Sequence, residues 1–450
     1  MIKKILTIAA AALCLCLELR SQDLKSGFFL DGYLYGYRQN PALQPSDGVD
    51  MFTGLLLDDF GASASSNVGL SDLLFRRDGA LVTGLNSKVE ADEFLPGLPE
   101  MLKLRMGIDN NLFSFGCRSR DGASFTAAEI NVKAYGGMAL PKELFEFLKC
   151  GTQKEYYYMD NFDFVGKSYL ELSFNHSRNL GDVTLGASLK GLLGLAHASM
   201  QVDYMNAVIS DPLIYISDSG SMTVAARGLD IPVTNDRFKL KETTYHARNA
   251  GISGYGGALD LGISATLAEG LSVSAAILDL GFIVWKPNYR GVMDASWYLD
   301  MTDEDQFMEG DPFDLVHINK VEDYSTVTEY LPVTFNFGAR YVLPFAPDFS
   351  AGLFANVRTG PRVTRYHDIR AGITYTPSGK FSVTVNTGRT ELGSTFGGAL
   401  SLNAGRLNWF LGMDGVAIHV TPQMIPVNSV EAVFKTGFTY VFRSGSGPKD

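Results

Sequence analysis

The chain has 450 residues, a formal charge of −11, 19% charged residues, 12% aromatic residues and 47 glycines. A net negative chain has no basic surface with which to displace phosphate counterions, which excludes a nucleic-acid binder. Few charges beside many Gly, Phe and Tyr depart from the make-up of an ordinary soluble enzyme and fit an all-β protein rich in turns.

At the start, Lys3 and Lys4 precede an apolar run from Ile5 to Leu17. Positive charge followed by an apolar stretch too short to span a bilayer reads as a signal peptide covering residues 1–21. Ser21 is the best cleavage position, although Leu19 is larger than such sites prefer. Cys14 and Cys16 each follow a leucine where lipid attachment wants a small residue, so the reading is export without lipidation. Cleavage removes three basic residues and one acidic one, making the mature chain more negative still. No later stretch has the roughly eighteen uninterrupted apolar residues of a membrane helix.

Residues 22–60 include the aromatic, Gly-rich "SGFFLDGYLYGYRQNPALQP", which holds neither a helical nor a strand period; Pro41 and Pro45 interrupt it. From Phe60 onward a period of two appears and recurs almost to the end. "LPKELFEFLKCG" predicts one short helix, with Pro141 in its first turn, Leu144, Phe145 and Leu148 at helical spacing, and Gly151 past its end. Leu170, Leu172 and Phe174 alternate with Glu171, Ser173 and Asn175, and Val183, Leu185, Ala187 and Leu189 with Thr184, Gly186, Ser188 and Lys190. In "GYGGALDLGISATL", Tyr255, Leu259, Leu261, Ile263 and Leu267 share one face. In "YLPVTFNFGARYVLP", Leu331, Val333, Phe335, Phe337, Ala339, Tyr341 and Leu343 do the same, and near the end so do Phe434, Phe438, Tyr440 and Phe442. Long polar connections are expected at about 201–253 and 286–329. No linker or fixed-period repeat divides the chain.

Alternation alone fits a soluble sandwich or a membrane barrel. Three features choose between them. The alternation persists for about a dozen residues; eleven at 3.3 Å each, tilted near 45°, rise roughly 26 Å, the height of an outer-membrane apolar band. The polar face is mainly Gly, Ser, Thr, Asn and Ala, with scattered charges such as Asp260, Arg340 and Lys435, as suits a confined lumen better than bulk water. Tyr255, Trp285, Tyr330, Tyr341, Tyr440 and Phe442 stand near strand ends, where membrane girdles lie. The greasy face is predicted to meet lipid. Among β-architectures only a closed barrel satisfies the backbone there, so the expectation is an all-β, antiparallel transmembrane barrel of about fourteen strands, within twelve to sixteen. Its expected place is the outer membrane of a diderm bacterium.

The segments "DGYLYGYRQNPAL", "LPKELFEFLKCG", "GYGGALDLGISATL", "SAAILDLGFIVW" and "TPQMIPVN" together resemble a family of Bacteroidota outer-membrane proteins catalogued as a domain of unknown function. That family is similar to the FadL-type barrels, which include transporters of hydrophobic compounds and PorV-like factors of type IX secretion. The shared element is Asn40-Pro41-Ala42, soon after the signal peptide. The resemblance implies that residues 22–60 form a plug or inner-rim segment, with the barrel at 61–443 and a flexible tail at 444–450. It implies no ligand site.

Chemistry-bearing residues form no recognisable constellation. His176, His197, His246, His317, His367 and His419 are isolated, and no pair has metal-ligand spacing. "GISGY" has Ser253 in third place but ends on Tyr255 where the nucleophile elbow needs its second Gly. His367 and Asp368 adjoin in a strand-like stretch and therefore face opposite ways. The acidic run Asp303, Glu304, Asp305, Glu309, Asp311 and Asp314 has Met308 where a calcium loop needs Gly. "GSTFGGALSLNAG" lacks a P-loop lysine. The expectation is no enzyme, no cofactor and no metal. Cys117 and Cys150 leave two readings open, a disulfide or two free thiols. Expected partners are outer-membrane lipid, a small hydrophobic ligand that the barrel passes, or, on the alternative reading as a non-transporting scaffold or shuttle, surface-secreted proteins.

Overall fold

The computed structural model describes residues 24–46, 48–300, 317–360, 365–415 and 430–442. The expected signal peptide, the acidic run from Asp303 to Asp314, His419, the "TPQMIPVN" segment and the expected tail lie outside these residues.

Period-two alternation becomes fourteen wall strands. In chain order they are β1 (Met51–Leu55, continuing as Phe60–Ser66), β2 (Met101–Arg118), β3 (Ser124–Pro141), β4 (Phe162–Asn179), β5 (Val183–Ser210), β6 (Gly254–Ala268) and β7 (Leu271–Trp285). Then come β8 (Thr334–Leu343), β9 (Ala346–Arg358), β10 (Tyr366–Ser378), β11 (Phe381–Thr390), β12 (Gly393–Ala404), β13 (Leu407–Asp414) and β14 (Val430–Phe442). Each pairs antiparallel with the next, and β14 returns to β1 at Met51↔Phe442 and Phe60↔Thr436, so the ladder closes without an edge. The wall begins at Met51, ten residues earlier than the sequence suggests.

At one end the connections are tight turns, such as Glu269-Gly270, Pro344-Phe345 and Gly379-Lys380; both chain ends of the wall lie there. At the other end run the long connections 67–100, 142–161, 211–253 and 286–333. Short turns on one side and long loops on the other are the asymmetry of outer-membrane barrels.

The outward rows are as predicted. Tyr255, Leu259, Leu261, Ile263 and Leu267 of β6 are exposed, whereas Ala258 and Asp260 are buried toward the lumen. Tyr341, Phe345, Phe349, Tyr375 and Tyr440 form an exposed belt near the short-turn end, and Tyr255, Phe282, Tyr330 and Phe396 form one near the other. Two predicted positions are corrected. Trp285 is 0% exposed and points inward, donating from Nε1 to Glu329 at 2.9 Å, so it is no girdle residue. Leu331 is also buried, because β8 starts only at Thr334 and the preceding Leu331-Pro332 turns into the barrel against Trp285.

Two irregularities in the ladder bear on the lumen. In β1, residues 56–59 oppose only Asn111 and Leu112, a wide bulge that pushes Leu55, Leu56 and Leu57 out toward lipid and turns Asp58 and Asp59 inward. Between β7 and β8, pairing stops at Leu278↔Thr334 and resumes only at Phe282↔Tyr330.

The predicted helix is present at Lys142–Cys150. The predicted loops at 201–253 and 286–329 are partly sheet instead. β5 runs 28 residues and leaves the membrane band, where it pairs with Leu213–Ala226 on one side and Tyr156–Tyr158 on the other; Leu213–Ala226 pairs onward with Tyr289–Asp300. The inner face of this extension carries Val202, Met205, Ala207, Ile214, Ile216 and Met293, packed against Phe147 of the helix and Phe238. Their apolar character was hidden by neighbours that are polar or half-buried. Burial raises the pKa of the Tyr157 phenol in this layer, and the phenol donates to the Gly151 carbonyl at 2.6 Å.

Candidate functional site

Residues 24–46 do not join the wall; they fold inside it. Short 3₁₀ turns at Lys25–Phe28 and Gly36–Arg38, with Gly32 at φ +79°, compact the segment enough to bury Leu24, Phe29, Tyr35 and Tyr37. Tyr35 packs edge-on against Phe52 and is tilted against Phe410, filling the lumen between β1 and β13. The hydrogen bonds that tie residues 24–49 to described wall residues all use a side chain on at least one partner. Asp414 of β13 accepts from the Lys25 and Ser26 amides at 2.5 and 3.1 Å, and Thr374 of β10 donates to the Phe29 carbonyl at 2.7 Å. Arg340 of β8 pairs with Asp31 at 2.5 Å, and Asn336 donates to the Gln39 carbonyl at 2.7 Å. Arg38 grips Glu129 of β3 at 2.8 Å and also bonds Asp59.

The motif singled out in the sequence is the best-seated part. Asn40 donates from Nδ2 to the carbonyls of Ile263 and Ala275, at 3.1 and 3.2 Å, and its Oδ1 accepts from the Ala42 amide at 2.9 Å. Pro41 and Ala42 lie across Gly186 and Gly262, which face each other as register partners on β5 and β6. A Cβ on Gly186 would stand 2.2 Å from the Pro41 carbonyl, and one on Gly262 would stand 2.1 Å from Asn40 Oδ1. The facing glycines are therefore the socket. We expect Gly186→Val to unseat the motif while leaving the outward face unchanged. Trypsin should then cut near Arg38 in the folded variant, whereas wild-type protein should resist under the same conditions.

Toward the long-loop end the segment meets a charged layer. Lys190 of β5 sits 2.6 Å from Asp260 and 2.8 Å from Asp279, with all three buried. Lys133 pairs with Glu171 at 2.8 Å, and Lys435 lies 3.2 Å from Asp59 and 3.5 Å from Asp109. On the far wall Arg370 reaches Asp368 and Asp414 at 2.7 and 2.9 Å. A cavity of about 30 Å³ remains among Tyr37, Arg38, Lys133, Glu171, Lys190 and Asp260. It has room for roughly two waters. Beyond it Tyr135, Tyr169, Leu192, Ile283, Trp285 and Leu331 close an aromatic and aliphatic layer, in which His197 stacks on Trp285 at 5.0 Å between ring centroids.

The lumen is therefore more charged than the sequence suggests, and this cavity is lined mainly by charged and hydroxyl-bearing side chains. Each strand contributes only one or two of these charges, so no short window shows the network. Its one sequence signal is that the charges fall on the polar rows of their strands, as Glu171, Lys190, Asp260 and Lys435 do.

The remaining candidates separate. Cys117 and Cys150 are both free, which overturns the disulfide reading: one is near the short-turn end of β2 and the other ends the helix beyond β3, at opposite ends of a hairpin of eighteen-residue strands. His367 faces outward while Asp368 is fully buried, as their adjacency in a strand requires. Among the described residues no cluster of His, Cys, Asp and Glu is placed to hold a metal.

Fold and lumen together define a transmembrane β-barrel with its N-terminal segment folded inside. The chain belongs to the family of unknown function DUF5723, whose profile matches residues 41–414. No curated protein sequence matches it. Among solved structures it is similar to a Pseudomonas aeruginosa FadL homologue (10% identity, 95% of this chain and 100% of that one, TM-score 0.44). It is also similar to the Ralstonia pickettii toluene transporter TbuX (10% identity, 95% of each chain, TM-score 0.43) and the Pseudomonas putida toluene transporter TodX (8% identity, 88% and 91%, TM-score 0.41). The barrel assignment stands on the closed strand ladder and the outward apolar rows.

Proposed function

We propose that this protein is an outer-membrane barrel in which residues 24–50 act as a plug that gates the passage of small hydrophobic molecules. The observation that carries the gating is the mode of attachment. The plug is held by side chains and shares no ladder with the wall except at its end, where the Asp50 amide donates to the Phe442 carbonyl at 3.2 Å and the Asp50 carbonyl accepts from the Arg118 amide at 2.7 Å. It can leave its seat without breaking the barrel. The hydrophobic cargo follows from the FadL-type resemblance around Asn40-Pro41-Ala42. A two-water cavity lined by charges neither fits nor attracts such a molecule, so passage requires plug movement, with exit sideways where β7 and β8 part. No catalytic step belongs to this proposal.

Proteoliposomes with a lipopolysaccharide outer leaflet test it. A labelled monoaromatic hydrocarbon should enter faster through them than through matched vesicles lacking protein; equal rates sink the reading. A second reading, a non-transporting scaffold or shuttle for secreted proteins, is favoured by the folded, apolar-cored sheet that β5 raises beyond the membrane. It predicts equal uptake rates, together with a stable protein partner crosslinked to that sheet.

A further inference from the structure

The sheet built on the β5 extension has a second face, turned away from its apolar core. Register places Tyr156, Val208, Tyr215 and Tyr298 in one cross-strand row. The row below holds Tyr158 and Asn206 with Ser217, and the next holds Tyr204 opposite Ser219, with Asp294 beyond it. The five tyrosines are 54%, 47%, 61%, 62% and 40% exposed for Tyr156, Tyr215, Tyr298, Tyr158 and Tyr204. Five exposed tyrosines on one sheet face form a pattern that folding alone does not require, since the core lies on the opposite side.

We propose that this face is a binding site for a neutral polysaccharide chain. Three observations identify the ligand class. First, each ring offers a flat apolar surface with a polar rim, the complement of a pyranose, whose C–H faces stack on aromatic rings while its hydroxyls need donors and acceptors. Asn206, Ser217, Ser219 and Asp294 supply those groups between the rings. Second, the rings are spread for an extended ligand. Tyr215 and Tyr298 stand 6.3 Å apart between centroids, and Tyr156 lies two strands from Tyr215, about 10 Å at the usual strand spacing. Third, these rows contain Asp294 and no Lys or Arg, which disfavours phosphate-bearing and other anionic ligands. Position agrees with an external ligand. Val208 is fifteen residues past Leu193, the register partner of girdle residue Tyr255, which lifts the row roughly 35 Å at the tilt of the wall.

The site is independent of passage through the lumen and is tested apart from it. Full-length protein in an amine-oxide detergent, which has no sugar headgroup, is titrated calorimetrically with galactomannan, xyloglucan, glycogen and α-mannan, with polygalacturonate as the anionic control. At least one neutral polymer should bind and polygalacturonate should not. The double variant Tyr215→Ala/Tyr298→Ala should weaken binding tenfold or more, whereas Tyr215→Phe/Tyr298→Phe, which keeps the rings, should stay within threefold of wild type. Electrophoretic heat-modifiability of each variant confirms a folded barrel. Absence of binding to all four neutral polymers overturns the proposal, as does undiminished binding by the alanine variant. Light scattering that shows a dimer lost in the alanine variant would assign the face to a second copy instead.

Discussion

Replacing Lys190 with methionine is expected to cause the largest loss of stability of any single change in the wall. Its ammonium is shared by Asp260 and Asp279, both buried, and Asp260 Oδ1 also accepts the Asp279 amide at 2.7 Å, where β7 adopts φ +62° at Asp279. Methionine fills similar volume but leaves two carboxylates facing each other without a counter-ion. Stranding buried charge in this way typically costs about 3–5 kcal/mol. The temperature at which the compact band unfolds in detergent electrophoresis should drop clearly. The triple variant Lys190→Met/Asp260→Asn/Asp279→Asn should recover most of the loss, because it removes the charge with its partner. An unchanged transition in the single variant would mean that the triad is not buried as described.

The second large effect is on permeability. A chain lacking residues 24–46 should still close its barrel, because the described backbone bonds to the wall begin at Asp50, which the deletion keeps. It should also admit small neutral solutes: liposomes carrying it should swell in isotonic sugar, while wild-type vesicles should barely respond. Lys133–Glu171 and Lys190–Asp260 remain on the wall and narrow the opening, so swelling should fall off sharply for larger oligosaccharides. A deletion variant that folds yet stays closed would transfer the seal from residues 24–46 to the Trp285 layer.

The fold was largely legible because lipid and lumen impose opposite demands on alternate residues. Leu185, Leu189, Leu261 and Ile263 each face outward, as their positions in the alternation dictate. Legibility failed where a residue leaves the two-fold rhythm. Leu331 and Trp285 sit at strand ends beside the β7–β8 break, where a turn of backbone, invisible in composition, reverses their direction. The Asn40-Pro41-Ala42 motif was visible, but its socket was not, because Gly186 and Gly262 are 76 positions apart and meet only through the β5–β6 register. The ion pairs were hidden for the same reason: Lys435–Asp59 and Arg38–Glu129 join residues whose proximity exists only once the cylinder closes.

The bulge in β1 has a consequence for biogenesis. It lies on the seam where the first and last strands meet, and it delivers Asp58 and Asp59 to the inside. Asp59 is met by Arg38 from the N-terminal segment and by Lys435 from the final strand, while Tyr35 donates to Asp58 at 2.9 Å. Zipping the two chain ends together over a vacant interior would strand these acids with half their partners. The last join in the cylinder is thus easiest once its contents are in place, so the order of assembly is written into one irregular strand.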